Sequence, residues 1–180
     1  MNKCCIITII ISIIVIIVAL VVGFLFLFKS GIKYNDLSKN FREIKNLSSK
    51  ELGDKIGGKV KYNIDAGIFK NTCAIRMSYC FNYGGYEFKQ NEYGTTSSGG
   101  DGKFFFFRVK DFKSFLDDKY SKNKYTYNDK SKLDGKKGVI VFEDCTFSDA
   151  TGHLDLFDGS DVEGHAYFKE CNSYTLYKFD

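Results

Sequence analysis

A cysteine at the predicted start of a helix is the residue of this sequence best placed for nucleophilic chemistry. In the stretch "NTCAIRMSYCFNYGG", Cys73 directly follows Asn71 and Thr72, which are typical helix N-cap residues, and a glycine pair ends the helix. At the first turn of a helix, a thiolate is stabilised by unpaired N–H groups and by the helix dipole. This stabilisation is only about 0.3–2 kcal/mol, so a helix end alone makes a weak nucleophile at neutral pH.

An adjacent imidazole would complete such a nucleophile, because it can hold the pair as thiolate and imidazolium. The chain has two histidines, His153 and His165, and both lie in the C-terminal part. In "GHLDLFDG", the alternation of a β-strand places Leu154 and Leu156 on one face and His153 with Asp155 on the other. We predict that the first histidine faces the helix cysteine across a cleft. The alternative is a buried cysteine and a solvated surface histidine.

Four residues of the C-terminal part could instead bind zinc, since Cys145, His153, His165 and Cys171 are all of suitable type. No close C-x-x-C or H-x-x-x-H pair supports this alternative, so we predict no metal. The two cysteines could also form a disulfide in an oxidising compartment, or remain buried and reduced.

The elements that must position these residues are predicted to be helices first and an antiparallel sheet last. Apolar residues near a spacing of 3.6 predict one or two helices that end at Gly57-Gly58, and "FFFFRVKDFKSFLDDKY" predicts a strand followed by a helix. Residues 89–103 and 117–135 are predicted to be loops. Four short segments then predict strands: "KKGVIVFED", "GHLDLFDG", "EGHAYF" and "SYTLYKF". The expected fold class is α+β, with a central nucleophile-bearing helix packed on a C-terminal antiparallel β-sheet.

The N-terminal segment differs in composition from the rest. Residues 6–28 carry no charged side chain, and at ~1.5 Å per residue a helix of this length would measure roughly 34 Å, enough to span a bilayer. We predict a transmembrane anchor at 6–28, after a short flank at 1–5 and before a juxtamembrane linker at 29–33. The remaining residues, 34–180, are predicted to form one domain. The net charge of +4 is spread along the chain, so no nucleic-acid partner is expected.

Four blocks of the sequence carry a resemblance to a known family: "KIGGKVKYNI", "NTCAIRMSYCFN", "FRVKDF" and "KKGVIVFEDCTFSDATGHLDLFDG". In this order and spacing they resemble the fourth family of type VI secretion amidase effectors, which are papain-like, NlpC-type cysteine amidases. The resemblance covers about residues 34–180, which would then be the amidase domain. It implies hydrolysis of bacterial peptidoglycan stem peptides at the γ-D-glutamyl–meso-diaminopimelate bond, with Cys73 as nucleophile and His153 as general base. No cofactor is expected, and an inhibitor protein is a further expected partner.

The third catalytic residue is where the sequence departs from this family, which places an aspartate in the strand after the histidine. Counting without a gap reaches Gly164 instead. A hairpin with a two-residue turn would put this glycine on the face of His153, whereas a three-residue turn would put Glu163 and His165 there. Asp155 lies on that face in either register. The sequence leaves these candidates open.

The anchor is a second departure, because effectors delivered by a secretion needle need no membrane segment. It predicts a single-pass membrane protein whose catalytic domain is extracytoplasmic, either extracellular or in a vesicle lumen. Two functions remain in view. The first is an active cysteine-dependent amidase. The alternative, motivated by the missing acid at Gly164, is a non-catalytic membrane-anchored receptor that binds peptidoglycan fragments or a partner protein.

Overall fold

The chain divides into two units in the computed structural model, which describes residues 31–146 and 152–179 together with three isoleucines near the N-terminus. The first unit is Met1–Gly31. Apart from those isoleucines, which are helical and exposed, the predicted anchor at 6–28 lies outside the described residues. The second unit, Ile32–Asp180, contains all the elements discussed below.

Helices form the first part of the second unit, as the sequence predicts. The first two are separated by Ser48, whose side chain accepts from the backbone N–H of Glu51 while the Glu51 carboxylate accepts from the Ser48 N–H. A third helix begins at Gly58, the second residue of the glycine pair, so the pair separates two helices rather than ending the helical region. The helices are α1 Tyr34–Ile44, α2 Ser49–Ile56, α3 Gly58–Asp65, α4 Cys73–Tyr83 and α5 Val109–Tyr120.

The strands form a small hairpin and a four-stranded antiparallel sheet. They are β1 Thr96–Ser98, β2 Phe104–Phe106, β3 Lys124–Tyr127, β4 Lys137–Cys145, β5 His153–Asp158 and β6 Cys171–Lys178. The hairpin is β1–β2, and the larger sheet has the order β3-β6-β4-β5. The predicted α+β class, with helices followed by an antiparallel sheet, is confirmed.

Three predicted segments differ from the structure. The expected loop at 89–103 contains β1, and the expected loop at 117–135 contains the end of α5 as well as β3. Residues 163–168, predicted to be a strand, form none; the pairing of this segment with β5 is limited to one bridge between Phe157 and Val162 and to nearby backbone hydrogen bonds. Polar and glycine-rich sequences lack the apolar alternation that marks a strand. Such a segment can nevertheless become a strand when it pairs with a neighbouring one.

Helix α4 is held in place by an aromatic core and by the hairpin. The ring of Phe81 makes edge-on contacts with Phe112 and Phe115 of α5 at centroid distances of 5.4 and 5.3 Å. The hydroxyl of Ser78 accepts from the backbone N–H of Phe106 at 2.9 Å, which ties the helix to β2. Both contacts fix the far end of α4, and so they fix the direction in which its first residue, Cys73, points.

A disulfide between Cys145 and Cys171 joins the end of β4 to the start of β6. The two cysteines are register partners in the sheet and are separated by 26 positions along the chain, and β5 lies within the loop that they close. The sequence left this pairing open. By closing the loop, the bond lowers the entropy of the unfolded chain and so stabilises the sheet.

Replacing both cysteines by serine should therefore lower the free energy of unfolding by about 2–4 kcal/mol. Chemical denaturation of the double variant and of the wild type, the latter with and without reductant, measures this difference. Reduced wild type should match the variant. Equal stability in all three samples would show that the bond contributes nothing to the fold.

Candidate active site

Cys73 is the first residue of α4 and lies where the helix meets the sheet. The side-chain Oδ1 of Asn71 accepts from the backbone N–H of Cys73 at 3.1 Å, while Thr72 makes no side-chain capping bond. Of the two predicted N-cap residues, Asn71 therefore supplies the side chain that satisfies the helix start. Cys73 is 7% exposed, so its thiol is shielded from bulk solvent but borders a groove.

His153 opens β5 and pairs with Phe142 of β4, which fixes its backbone in the sheet. Its imidazole and the Cys73 thiol lie in one groove of about 150 Å³, so the structure brings together the two residues that the sequence predicted to meet. The groove is formed by α1, α4, β5 and the segments that flank them. Its lining consists of Phe41, Asn71, Thr72, Cys73, Arg76, His153, Leu154, Asp155 and Tyr167.

The imidazole of His153 is surrounded by groups that favour its protonated form. Burial lowers its pKa, but hydrogen bonds and charge interactions with Asp155 and Cys73 outweigh this effect and raise the pKa to about 9. The Nε2 atom lies 3.4 Å from Oδ2 of Asp155, which leaves Nδ1 as the ring nitrogen available to the thiol. The other neighbours are the Tyr167 ring at 4.8 Å and the Phe142 ring at 6.2 Å between centroids. At neutral pH the ring is therefore an imidazolium.

The pKa of His153 predicts the pH above which catalysis by this cysteine–histidine pair should decline. A raised pKa keeps His153 protonated, and so able to donate a proton to a leaving amine, up to about pH 9. We expect kcat/KM to stay high through neutral pH and to fall as the pH rises through about 9. Initial rates of amide hydrolysis between pH 6 and 10 measure this alkaline fall in activity; a fall centred near the ordinary histidine value of ~6.5 would contradict the prediction.

Of the two turns considered for the hairpin after β5, the structure has the two-residue turn. This turn decides where the three candidates for the third catalytic residue lie. The backbone N–H of Asp158 donates to the carbonyl of Asp161, and the N–H of Glu163 donates to the carbonyl of Leu156. This register puts Gly164 beside Asp155 on the face of the site histidine. Asp155 is the candidate that contacts the imidazole.

Glu163 faces helix α1 instead of the groove. Its Oε1 accepts from the hydroxyls of Tyr34 at 2.6 Å and Ser38 at 2.5 Å, and only 8% of its side chain is exposed. Burial and the hydrogen bond to this carboxylate raise the pKa of Tyr34. His165 is exposed, with its ring against Tyr167 at 4.5 Å between centroids. Glu163 thus fastens the hairpin to a helix, and His165 lies at the surface.

Arg76 is a residue of the groove that sequence reasoning missed. It follows Cys73 by three positions, a spacing that puts both on one side of α4 and could have revealed it. Its guanidinium donates to the carbonyl of Ile44, the last residue of α1, and, at 2.5 Å, to that of Leu47 in the following turn. Burial lowers its pKa, and the nearby Asp155 and Cys73 oppose this. The groove therefore contains a cation next to the thiol and the carboxylate.

The alternative zinc site is wrong, because the two cysteines among its four proposed ligands form a disulfide and carry no free thiol. Cys145 and Cys171 are joined to each other and a disulfide sulfur is a poor ligand for zinc, which binds the thiolate. Of the free cysteines in the described residues, Cys73 lines the groove, while Cys80 is fully buried in the same helix. Burial raises the pKa of Cys80 well above its usual range, so this thiol is inert.

The fold and the site are those of a cysteine-dependent hydrolase, with a helix that begins at a thiol packed on an antiparallel sheet that presents an imidazole. The sequence model of the family described as type VI secretion system (T6SS), amidase effector protein 4 (Tae4), matches residues 69–177. The chain belongs to this family, whose members are cysteine-dependent peptidoglycan amidases. No curated protein sequence matches the chain.

Solved structures agree with this assignment. The Tae4–Tai4 effector–immunity complex from Enterobacter cloacae is 33% identical over 83% of this chain and 99% of that one, with a TM-score of 0.78. The same complex from Salmonella Typhimurium is 33% identical over 84% and 100%, with a TM-score of 0.78. Tae4 from Enterobacter cloacae alone is 33% identical over 83% and 98%, with a TM-score of 0.75.

These similarities correct the predicted localisation. The uncharged segment 6–28 predicts a single-pass membrane protein with an extracytoplasmic catalytic domain. This prediction is wrong, because the relatives are type VI secretion effectors. In addition, no helix in the part of the chain that the structure describes is long and apolar enough to cross a membrane. The membrane-anchored receptor is likewise unsupported as an alternative function.

Proposed function

We propose that this amidase cleaves the γ-D-glutamyl–meso-diaminopimelate bond of peptidoglycan stem peptides, with Cys73 as nucleophile and His153 as general acid and base. The observation that carries the proposal is the shared groove of these two side chains, which lie far apart in the sequence. The choice of bond rests on the family to which the chain belongs. The raised pKa of His153 supports the assignment of roles, because it makes the ring a proton donor at neutral pH.

The first half of the reaction is acylation of the thiol. The Cys73 sulfur attacks the γ-carbonyl carbon of the glutamyl residue, forming a carbon–sulfur bond, and the carbonyl oxygen becomes an oxyanion. When the carbonyl re-forms, the carbon–nitrogen bond breaks and the imidazolium of His153 gives its proton to the departing diaminopimelate amine. The site then holds a glutamyl thioester and a neutral imidazole.

The second half is hydrolysis of this thioester. The neutral imidazole of His153 takes a proton from water as the water oxygen attacks the thioester carbon. The carbon–sulfur bond breaks, the glutamyl product leaves with a free γ-carboxylic acid that then ionises in solvent, and the thiolate and imidazolium are restored. Each proton taken from water or given to the amine passes through the same ring, so no other acid or base is needed.

Stabilisation of the oxyanion involves a local rearrangement at the helix start. The backbone N–H of Cys73 is the expected donor, but in the free protein it donates to Asn71 Oδ1 at 3.1 Å. Because Asn71 is exposed and lines the groove, its side chain can turn away when substrate binds. The N–H is then available to the developing negative charge.

Digestion of purified sacculi by the full chain tests the proposal. We expect soluble fragments in which D-glutamate has gained a free γ-carboxyl group and meso-diaminopimelate a free amine, identified by mass spectrometry. Fragments cut at another amide would reject the choice of bond while leaving the amidase class intact. Release no greater than that in buffer alone would reject the catalytic function.

An immunity protein is the partner that we propose for this chain. Relatives have been solved in complex with Tai4, and Tae4 from Salmonella typhimurium forms a complex with Tai4 from Enterobacter cloacae, so one immunity protein accepts effectors from different organisms. Adding Enterobacter cloacae Tai4 to the sacculus digestion should suppress it in proportion to the amount added. Undiminished digestion with excess Tai4 would show that this chain needs a different inhibitor.

A further inference from the structure

Asp155 lies against the imidazole because of its place in β5. It follows His153 by two positions, so both side chains leave the same face of the strand. Its Oδ2 atom is 3.4 Å from Nε2 of His153, and 4% of the Asp155 side chain is exposed. This is a long hydrogen bond, as is common in free enzymes whose catalytic contacts shorten when substrate binds.

The Asp155 carboxylate is fixed by three backbone N–H groups. Its Oδ1 accepts from Leu156 at 2.7 Å and from Gly164 at 3.1 Å, while its Oδ2 accepts from His165 at 2.8 Å. An ionised carboxylate can accept at both oxygens and so can satisfy these donors together with the imidazole. The two N–H groups of the hairpin aim Oδ2 at His153, which means that the carboxylate is positioned rather than merely nearby.

Gly164 is the residue that makes room for this carboxylate. A Cβ atom at Gly164 would lie 2.3 Å from Oδ2 of Asp155 and 3.0 Å from its Cγ, so any side chain at this position would displace the Asp155 carboxylate. The position is not among the described glycines with positive φ, so its backbone conformation does not require glycine. Space alone does. Gly164 is also the position that the family pattern assigns to an aspartate, and Asp155 fills the volume that such a side chain would need.

We propose that Asp155 is the positioning residue that orients the His153 ring and stabilises its imidazolium, and that Gly164 is glycine because the Asp155 carboxylate occupies its side-chain space. The inference rests on the proposed role of His153. Of the other candidates, Glu163 is held by Tyr34 and Ser38 on the opposite side, and His165 contributes its backbone N–H. The acid of this site thus lies on the histidine's own strand instead of on the following segment.

The first test is the titration of His153 itself, which does not depend on activity. The chain has two histidines, so the variant His165→Ala leaves one imidazole, whose titration can be followed by NMR. Within the described residues, the further groups facing this ring are Cys73 from α4 and the phenol of Tyr167, with Arg76 beyond them. In this background we expect Asp155→Asn to lower the midpoint by at least about one pH unit. An unchanged midpoint would overturn the proposal.

The second test transfers the carboxylate from position 155 to position 164. Gly164→Ala alone should displace the carboxylate and lower kcat at least about tenfold, because its methyl group overlaps Oδ2. Asp155→Ala should lower kcat by roughly 10²–10⁴-fold with little change in KM, since an orienting acid acts on the chemical step. The double variant Asp155→Ala/Gly164→Asp should recover at least about tenfold over Asp155→Ala and return the alkaline limb toward that of the wild type.

The outcomes separate this inference from the proposed function. If the wild type releases no muropeptides, the function fails while the NMR titration still reports on Asp155. If Asp155→Asn does not fold, as judged by circular dichroism, the double variant in the His165→Ala background carries the same titration. Each Asp155 or Gly164 variant in this titration is compared with His165→Ala itself, so that any effect of the background cancels. A double variant that folds but shows neither recovered activity nor a raised titration midpoint of His153 would overturn the proposal that a carboxylate at either position can orient this ring.

Discussion

The variant Cys73→Ala should release muropeptides from sacculi at least about 10⁴-fold more slowly than the wild type, because it removes the sulfur that forms the acyl intermediate. Alanine is the best helix former and fills most of the volume of a cysteine. The thiol lies at the start of α4 and borders open space. We therefore expect a thermal midpoint within a few degrees of the wild type, so that a loss of rate reports on chemistry.

The matched control is Cys80→Ala in the same helix. Cys80 is fully buried and faces the core, so this variant should lose stability while its folded fraction keeps the wild-type rate per molecule. A single-turnover experiment gives a further check. The wild type should form a covalent thioester that intact-protein mass spectrometry detects, and Cys73→Ala should not. Equal muropeptide release by the wild type and Cys73→Ala would refute the role of this thiol.

His153→Ala should reduce kcat/KM by about 10³-fold or more, because it removes both the proton donor of acylation and the base of hydrolysis. The same change should slow alkylation of Cys73 by iodoacetamide at pH 7 by on the order of tenfold, since it removes the neighbouring imidazole that activates the sulfur. Peptide mass spectrometry locates the label, which matters because the chain also contains Cys4 and Cys5.

His165→Ala is the control for this prediction, since it removes the other imidazole of the chain from an exposed position. It should alkylate and turn over like the wild type. Circular dichroism establishes whether His153→Ala is folded, and the unreactive, buried Cys80 offers a second criterion, because its labelling signals unfolding. Activity of His153→Ala within tenfold of the wild type would assign the proton transfers to another group.

The sequence predicted the parts of this molecule whose signals are local and periodic. Helix α4 was predictable from its N-cap residues, its apolar face and its terminal glycines, and β4, β5 and β6 were predictable from their alternation. The meeting of Cys73 with His153 was predicted from the residue types, the alternation of β5 and the resemblance to the amidase family together, since the residues alone left a surface histidine open. These predictions needed no knowledge of long-range register.

Register and pairing are what the sequence could not supply. The hairpin after β5 was compatible with a two-residue or a three-residue turn, and this one-residue difference reverses every side chain after it. The choice depends on backbone bonds such as that from Asp158 to Asp161, which no residue type specifies. For the same reason, Glu163 could not be assigned to α1 in advance. Strand β1 was missed because it is made of Thr and Ser and is defined only by its pairing with β2.

The shared volume of Asp155 and Gly164 also bears on how such a protein can change. A methyl group at one position displaces the carboxylate at the other, so neither residue can be exchanged first without passing through an impaired intermediate. Substitutions at these two positions should therefore occur together among related sequences. A column-by-column alignment would describe this chain as having lost an acid, although the same few cubic ångströms beside the imidazole still hold a carboxylate supplied from a different strand.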